Sequence, residues 1–354
     1  MASTIYDIAE RANVSTATVS RVFNEESKVS PDTRERVIEA AQALNYQPHA
    51  MAQGLARQRT HLISAVVPVL ANYFYMGVLR GVQDALATSE FDLLVLTPSH
   101  PQEIATQLRR ASQSGRSDGL LFLSTSVDDE IADILGATAQ EVVLLDTEHP
   151  NFESISIDNE RGGYEATRHL VEQGRTRIAH ITADEPEPPP AAKRRRGYER
   201  ALSEASGVAA PMIARGDKEP FAFEREGGYR AMKRLLEQDP LPDAVFAASD
   251  MQALGAMRAL EERGLAVPDD VAIVGFDDID ISEYVGLTTL RQPLHDLGQL
   301  AIEKMIGRIE NPDRPVSSSV FSPELRVRAS SGGASGEVEG EEPDAAPYPS
   351  SIRI

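Results

Sequence analysis

The sequence has no cysteine, and none of its apolar runs approaches the roughly 18 residues that a membrane-spanning helix needs. The lack of cysteine excludes disulfide frameworks, zinc fingers with thiolate ligands, and cysteine hydrolases. The N-terminal residues lack a basic segment followed by an apolar core, so we expect neither a secreted nor a transmembrane protein. These absences fit a cytoplasmic protein with no membrane partner.

Motifs of common enzyme classes are also missing. The chain has no G-x-x-x-x-G-K-[ST] phosphate loop, no G-x-G-x-x-G after its first apolar run, and no G-x-S-x-G. The histidines at positions 61, 100, 149, 169, 180 and 295 show no metal-ligand spacing. We therefore predict no catalytic residue, no metal site and no cofactor.

Lysine is scarce, and the charge of the chain is uneven. Only 5 of the 35 basic residues are lysine, and 55 acidic residues bring the formal net charge to −20. Residues 1–60 hold seven residues of each sign, so all of the excess acid lies in the rest of the chain. The N-terminal segment can therefore approach nucleic acid, whereas the remainder would repel it. GC-rich coding or adaptation to high salt would each explain this composition.

Residues 4–47 contain the start signals of three short helices. Thr4 stands three residues ahead of Asp7, as in a capping box, and Ser15 can cap a second helix. The triplet Ser30-Pro31-Asp32 can start a third helix. This pattern predicts either a helix-turn-helix, whose second helix enters the DNA major groove, or an ordinary three-helix bundle with an exposed polar face.

In the helix-turn-helix interpretation, the second helix reads DNA. Arg21 can make a bidentate contact with guanine. The residues predicted to face outward are Thr16, Ala17, Ser20 and Arg21. Those predicted to reach phosphates are Ser15, Thr18 and Asn24. Thr4, at the start of the first helix, belongs with these predicted DNA contacts.

From Leu62 onward, short apolar runs alternate with amphipathic stretches. The runs are LISAVVPV, FDLLVLTP, DGLLFLST, EVVLLDT, RIAHITA, AVFAASD and VAIVGFDD, and helical patterns cover 160–173, 194–205, 224–237, 251–263 and 294–308. This alternation predicts a doubly wound parallel α/β architecture. About 270 residues are too many for one sheet, so we expect two lobes. Residues 329–354 are small, acidic and without heptads, which predicts a disordered tail.

Polar residues that end the apolar runs are the first binding candidates, because open α/β lobes bind ligands beyond the carboxyl ends of their strands. These residues are Asp146, Ser249, Asp250 and Asp277. We expect Asp250 to cap the helix that begins at Met251 rather than to touch a ligand. In the basic run at 193–196, we expect a solvated face with only Arg194 turned inward.

The segment TIYDIAERANVSTATVSRVFNEESKVSPDTRERVIEAAQALNYQPHAMAQGLARQRT closely resembles the N-terminal region of LacI/GalR-family bacterial transcription regulators, and the resemblance continues to about Arg328. It implies a helix-turn-helix domain over residues 1–47 and a hinge helix or linker over 48–60. It further implies a core over 61–328 with the two-lobed fold of periplasmic binding proteins, which binds an effector and dimerises. Only the tail, residues 329–354, lies outside the resemblance.

The resemblance also implies roles in the hinge, which folds in this family when two subunits lie side by side on DNA. Leu55 matches the side chain that enters the minor groove and kinks the duplex, and Ala52 lies one turn before it. Leu55 could instead pack on the core. Gln53 stands where many relatives have arginine, and Arg57 and Arg59 could replace that charge at the phosphates.

In the core, the resemblance implies that eight residues surround the effector. They are Asn72, Tyr73, Phe74, Asp146, Arg194, Phe223, Ser249 and Asp277. Carboxylates, one guanidinium and aromatic faces suit a polyhydroxylated ligand, so a sugar or sugar derivative is expected. Ser249 departs from the asparagine usual in relatives. Tyr73 and Phe74 could be ordinary core residues.

We therefore expect a homodimeric repressor that binds a palindromic operator and whose DNA affinity is controlled by a small-molecule effector. Some relatives use a protein corepressor instead, and this alternative stays open. A dimer is favoured over a tetramer because the tail has no heptads. Two other classes compete with this interpretation: an α/β sugar or nucleotide transferase with an accessory helical domain, and a solute-binding protein for transport.

Overall fold

The computed structural model describes residues 4–23, 29–46, 59–70, 72–113, 115–184, 187–216 and 223–332. The N-terminal unit consists of α1 (Ile5–Ala12), α2 (Thr16–Phe23) and α3 (Pro31–Ala43). Their apolar faces form a separate small core that includes Ile8, Val19 and Val37. All three helices begin within a residue of the start signals in the sequence, so the three-helix prediction is confirmed.

The first lobe begins with five parallel strands and three helices. In chain order these are β1 (Leu62–Val66), α4 (Tyr73–Leu86), β2 (Asp92–Leu96), α5 (Ile104–Ala111), β3 (Gly119–Leu123), α6 (Asp129–Ala137), β4 (Glu141–Leu145) and β5 (Glu153–Ile157). A short 3-10 turn, Pro101–Glu103, precedes α5. Strands β3 and β4 are almost wholly apolar and buried, as strands covered on both faces must be.

The second lobe repeats this alternation. Its elements are α7 (Asn159–Glu172), β6 (Ile178–Thr182), α8 (Pro189–Glu204), β7 (Met212–Arg215), α9 (Arg225–Leu235), β8 (Ala244–Ala247), α10 (Asp250–Glu262), β9 (Ala272–Asp277), α11 (Asp280–Tyr284) and β10 (Thr288–Arg291). The chain then returns to the first lobe through α12 (Leu294–Glu310) and β11 (Ser318–Phe321) and ends in the second with β12 (Glu324–Arg326).

Each lobe therefore contains one six-stranded sheet. The strand order is β11-β5-β4-β3-β1-β2 in the first lobe and β12-β10-β9-β8-β6-β7 in the second. All the described pairings are parallel except β10 with β12. The chain passes between the lobes three times, after β5, after β10 and after β11, and the predicted two-lobed doubly wound fold is confirmed. No helix of the described part is long and apolar enough to span a membrane.

The core extends beyond Arg328, which corrects the predicted start of the tail. Residues Ala329–Ser331 form a 3-10 turn whose serines are buried. The Ser330 hydroxyl accepts from the Thr288 N–H at 2.8 Å and donates to the Ile273 carbonyl at 2.7 Å. Small residues looked like tail in the sequence, but here the Ser330 hydroxyl satisfies backbone groups of β9 and β10, two inner strands of the second sheet. Residues 333–354 lie outside the described part of the chain.

Candidate functional site

Helix α2 buries one side and exposes the other. Val19 and Val22 are buried in the three-helix core. Ala17 and Arg21, one turn apart, are exposed, and Thr16 and Ser20 are half-buried beside them. The four residues predicted to face outward therefore share one side of α2, as the base-reading residues of a recognition helix must.

Three further residues predicted to contact DNA, Thr4, Ser15 and Thr18, lie at the starts of α1 and α2. The Asp7 carboxylate accepts from the N–H and the hydroxyl of Thr4 at 2.7 and 2.8 Å, and these bonds lower the pKa of Asp7. The Ser15 hydroxyl accepts from the Thr18 N–H at 3.2 Å and so caps α2. The other predicted DNA contacts lie outside the described residues and stay predictions: Asn24, Ala52, Gln53, Leu55 and Arg57.

Where the described part of the chain resumes after the predicted hinge, it is fixed to the first lobe. Asp118 accepts from the N–H and hydroxyl of Thr60 at 2.7 and 2.9 Å and from the N–H of His61 at 2.8 Å. Arg59 donates to the Ile309 carbonyl in the last turn of α12 at 3.3 Å. The start of the core is therefore fixed to both β3 and α12.

A cavity of about 690 Å³ lies between the two lobes, at the carboxyl ends of the strands. Six of the eight predicted effector residues line it: Asn72, Phe74, Asp146, Arg194, Phe223 and Asp277. Four lining residues have positive φ angles although none is glycine: Ser124 (48°), Asp146 (56°), Phe223 (80°) and Asp277 (124°). Such conformations cost energy and cluster at binding sites, which supports a functional cavity.

Arg194 is the central side chain of the cavity. It lies on α8, is 3% exposed, and its guanidinium stacks 3.6 Å from the centre of the Phe276 ring. Its Nε donates to Asn159 Oδ1 at 2.7 Å, and its NH1 group donates to the Ala248 carbonyl at 2.5 Å and lies 4.0 Å from Asp277 Oδ1. The contacts of this one buried cation thus lie on three parts of the second lobe: α7, the residue after β8, and β9. Desolvation lowers the pKa of Arg194, and the nearby Asp277 and Asp146 oppose that shift.

Two buried carboxyl groups lie beside Arg194. Burial raises the pKa of Asp277 to about 8, although Arg194 opposes the shift, and Asp250 adds to it. Burial likewise raises the pKa of Asp146, whose Oδ2 accepts from the Ser124 hydroxyl at 3.0 Å. Asp146 Oδ1 is buried without a hydrogen-bond partner. Ligand hydroxyl groups could donate to this unpaired oxygen and accept a hydrogen bond from the protonated carboxyl group of Asp277.

The structure corrects the placement of two predicted effector residues and of Asp250. Tyr73 is 43% exposed in the first turn of α4 and does not line the cavity. Ser249 is buried; it caps α10 by accepting from the Gln252 N–H, and its hydroxyl donates to the Phe223 carbonyl, so it supports the wall from behind. Asp250 is therefore not the cap. It accepts from Thr289, Ser282 and Ile279 inside the second lobe.

Several cavity residues were missed by sequence reasoning. Tyr75 and Ser124 line it, and burial raises the pKa of the Tyr75 phenol. Gln292, at the second crossing between lobes, donates to Asp277 Oδ1 at 2.6 Å. Tyr75 directly follows the predicted residue Phe74, and Ser124 ends a predicted strand, so the strand-end rule could have found Ser124. Nothing local in the sequence marks Gln292.

The basic run at 193–196 behaves as predicted. Lys193, Arg195 and Arg196 pair with Glu148, Glu187 and Glu160 respectively at 2.9–3.2 Å. Only Arg194 turns into the cavity. The Lys193–Glu148 pair joins α8 of the second lobe to the segment after β4 of the first. Within the described ranges, no three acidic or histidine side chains are placed to hold a metal ion.

Two stretches of the chain match known protein families. Residues 4–49 match the family described as bacterial regulatory proteins, lacI family, and residues 167–331 match the periplasmic binding protein-like domain. Catabolite control protein A of Priestia megaterium is 34% identical over 325 residues, which cover 90% of this chain and 96% of that protein.

Two solved structures are similar over nearly the whole chain. The transcriptional regulator CelR in complex with cellobiose is 32% identical, with a TM-score of 0.69 over 93% of this chain and 99% of that one. The Lac repressor dimer bound to operator and the anti-inducer ONPF is 28% identical, with a TM-score of 0.81 over 94% of this chain and 99% of that one.

Proposed function

The chain belongs to the LacI family of bacterial regulatory proteins, and we propose on that basis that it represses transcription by binding a palindromic operator as a homodimer. Its relatives are transcriptional repressors and not enzymes, so the transferase interpretation is set aside. The proposed site of action is the bacterial nucleoid in the cytoplasm.

The DNA-binding proposal rests on the exposed side of α2. Ala17 and Arg21 are exposed on it, with Thr16 and Ser20 beside them, while Val19 and Val22 hold the helix in the N-terminal core. Arg21 is suited to guanine, and Ala17 to a thymine methyl group. Residues 1–60 carry no net charge, so the acidic excess of the core does not extend into this reading surface.

In the proposed homodimer, each subunit contributes one α2 to one half of the operator. Both lobes expose large apolar side chains that a second subunit could cover. Met76 on α4 is 55% exposed, and Tyr284 at the end of α11 is 88% exposed. The Lac repressor structure similar to this chain is a dimer, which supports the same assembly here. In the undescribed hinge, we propose that Leu55 inserts into the minor groove at the centre of the operator, with Ala52, Gln53 and Arg57 beside it.

We assign the interlobe cavity to the effector. Buried hydrogen-bonding groups and the rings of Phe74 and Phe223 suit a sugar, whose hydroxyls and C–H faces they can bind. The CelR structure holds cellobiose, which supports this class of ligand. An effector that favours one arrangement of the lobes changes DNA affinity, and DNA changes effector affinity by the same factor.

The proposal is tested by selecting bound duplexes from a random pool with purified protein at two salt concentrations, because non-specific binding falls steeply with salt. We expect a palindrome with a deformable central step, recovered at both salts. Recovery of an asymmetric site would contradict the homodimer. Recovery of no sequence at either salt would contradict the assignment of α2 as a reading helix.

A further inference from the structure

The loop between α5 and β3 lies at the end of the first lobe where the chain enters the core. Asp118, the last residue of this loop, accepts hydrogen bonds from Thr60 and His61, which follow the predicted hinge. Arg116 stands two residues before Asp118. Arg116 therefore lies at the end of the core that is tethered most closely to the DNA-binding unit.

The backbone on both sides of Arg116 is held by a buried glutamine. The side-chain amide of Gln140 donates to the carbonyls of Ala111 and Ser117 at 3.1 Å each, and it also contacts the Ser117 hydroxyl. The Arg116 N–H donates to the Gln113 carbonyl at 3.1 Å and closes a turn. Because the loop is already ordered, a ligand of Arg116 would pay little conformational entropy for the backbone.

The guanidinium group of Arg116 has no partner within the described ranges. Its Nε is buried without a hydrogen bond, and no carboxylate among the described residues pairs with it. The Ser112 hydroxyl, at the start of the same loop, is also buried without a partner. By contrast, Arg109 in the last turn of α5 pairs with Glu130 at 2.9 Å. A half-buried cation without an acceptor is costly, so we expect an anion from outside the described residues.

The carboxyl groups along this end of the first sheet are already neutralised by the protein. Asp118, before β3, receives its three hydrogen bonds from the start of the core. Glu141, at the start of β4, pairs with Arg308 at 2.8 Å, and Glu153, at the start of β5, pairs with Lys304. The acidic excess of the chain is therefore offset locally, and an approaching polyanion is repelled less here than elsewhere on the core.

Nearby segments do not supply the missing anion. Residues 40–60 contain no aspartate or glutamate. The exposed Glu90 and Asp92 stand by the start of the edge strand β2, with β1 between them and β3. Glu310 ends α12, which packs on the face of the sheet opposite to α5. An anion of the bound complex is the remaining source.

The operator backbone is the polyanion that the proposed function brings to this end of the core. Leu55, proposed to enter the minor groove at the operator centre, is five residues from Thr60. Five residues span at most about 18 Å, which limits the distance between Thr60 and the groove. The phosphates that border the groove on the protein side lie nearer to the core than the groove floor does.

We propose that Arg116 binds a phosphate of the operator backbone beside the central step, so that the core of each subunit adds a DNA contact of its own. This inference rests on the proposed operator binding and extends it beyond the helix-turn-helix and the hinge. A guanidinium group matches two phosphate oxygens at once. The contact carries no base information, so it strengthens binding without changing the preferred sequence.

The test compares wild type and Arg116→Gln in anisotropy titrations of the full chain with the selected operator at about 50–200 mM salt. Each lost phosphate contact lowers the slope of log affinity against log salt by about 0.9, so two per dimer lower it by about 1.8. We expect this change together with about 10-fold weaker binding at the middle of the salt range. Equal slopes and affinities for the two folded proteins would overturn the inference.

Arg263→Gln is the matched control. Arg263 is exposed at the end of α10 in the second lobe, so its substitution removes the same charge far from the proposed contact. It should leave the salt slope unchanged. If Arg263→Gln lowers the slope as much as Arg116→Gln, the effect comes from the net charge of the protein and the inference is wrong.

A measurement on the DNA locates the contact. Operators with one uncharged methylphosphonate at each phosphate beside the central step should bind wild type about 3- to 10-fold more weakly at the contacted position. Arg116→Gln should lose nothing further at that position, because its contact is already absent. If Arg116→Gln does not fold, wild type still decides: no sensitive phosphate beside the centre would overturn the inference.

Two further outcomes are distinguished by the same preparations. Conversion of Arg116→Gln to a monomer, measured by light scattering, would mean that Arg116 pairs with a carboxyl group of a second subunit instead of a phosphate. Failure of wild type to select any operator contradicts the proposed function itself. An operator bound equally by wild type and Arg116→Gln contradicts only the contact proposed for Arg116.

Discussion

Asp277 shows how one residue can serve the cavity at the expense of the fold. It ends β9 with a φ angle of 124°, is 7% exposed, and receives a hydrogen bond from Gln292. Burial of its carboxyl group raises its pKa to about 8, so the ionised form is disfavoured in the folded protein. An asparagine would fit the same space without an ionisable group.

The raised pKa gives a pH-dependent prediction. Relative to an unfolded aspartate of pKa 3.8, the folded protein holds this proton more tightly, so the contribution of Asp277 to stability is lost as pH rises through about 8. Asp277→Asn should therefore melt about 4 °C or more above the wild type at pH 9, and the gap should close towards pH 5. Thermal melts across this range check it, with the exposed Asp129→Asn as control. A gap that does not vary with pH would contradict the shift.

A second prediction for a single residue concerns the contribution of Arg21 to operator affinity and base preference. Arg21→Ala should weaken binding to the selected operator about 10- to 100-fold and relax the preference at one base position, because a bidentate guanine contact is worth about 1–3 kcal/mol. Anisotropy titrations with the operator and with point-substituted operators measure this. Arg36, exposed on α3, provides a control of equal charge. If Arg36→Ala costs as much and Arg21→Ala changes no base preference, α2 does not read sequence.

For single residues, the sequence predicted correctly those whose position follows from the end of a strand. It failed for residues whose role depends on where the neighbouring helix begins. Asp146, Arg194 and Asp277 were found from strand ends and the family resemblance, and all three line the cavity. Ser249 takes the cap position predicted for Asp250, because helix α10 starts one residue earlier than expected, and Asp250 instead accepts hydrogen bonds inside the second lobe. A shift of one residue in the start of the helix decides whether the Ser249 hydroxyl faces the cavity or caps the helix.

Among the elements, α12 runs from the interlobe cavity to the start of the core at Arg59. It follows Gln292, which contacts Asp277 in the cavity, and its last turn accepts from Arg59 at the start of the core. Lys304 and Arg308 of α12 form ion pairs with Glu153 and Glu141 at the starts of β5 and β4. A helix of 17 residues spans about 25 Å, so a shift at the cavity can reach Arg59, at the start of the core, through one rigid element.

The attachment at Asp118 is the point where this coupling can be tested. Asp118→Ala removes the acceptor of three hydrogen bonds from Thr60 and His61, so these residues must be ordered again when DNA binds. We expect operator affinity to fall about 10-fold. Operator titration measures the loss, with the exposed Asp129→Ala as control. Unchanged affinity in a folded variant would separate the attachment from DNA binding.

The strands that sequence reasoning missed are short or rich in polar residues. In β5, Glu153, Ser154 and Ser156 are buried, which no apolar-run criterion would find. Glu153 is stabilised there by Lys304 and by Ser317, residues more than 150 positions away. Strands β10, β11 and β12 have three or four residues each. Their pairing is set by long-range contacts rather than by local sequence.

For the whole molecule, the proposed dimer makes a direct prediction about mass. Tyr73 and Met76 lie three residues apart on α4 and share its exposed side, which explains why Tyr73 is absent from the cavity. Met76→Glu and Tyr284→Glu together should convert the dimer to a monomer and weaken palindrome binding at least 10-fold, because charge would be buried at the interface. Light scattering after gel filtration measures the mass.

The control for this variant is Val320→Glu. Val320 is 58% exposed on the edge strand β11 and lies away from α4 and α11 in sequence. It should leave the mass unchanged. Monomers from Val320→Glu, or dimers from the double variant, would place the interface elsewhere.

The three passages between the lobes also determine how this molecule can be divided. The first lobe is incomplete without α12 and β11, and the second without β12 and the turn at Ala329–Ser331, so neither lobe corresponds to one continuous stretch of gene. No single cut or exchange of coding sequence can transplant an intact lobe into another protein. A single exchange must therefore move both lobes of the core together, whereas the DNA-binding unit, which is continuous in sequence, can be exchanged by itself.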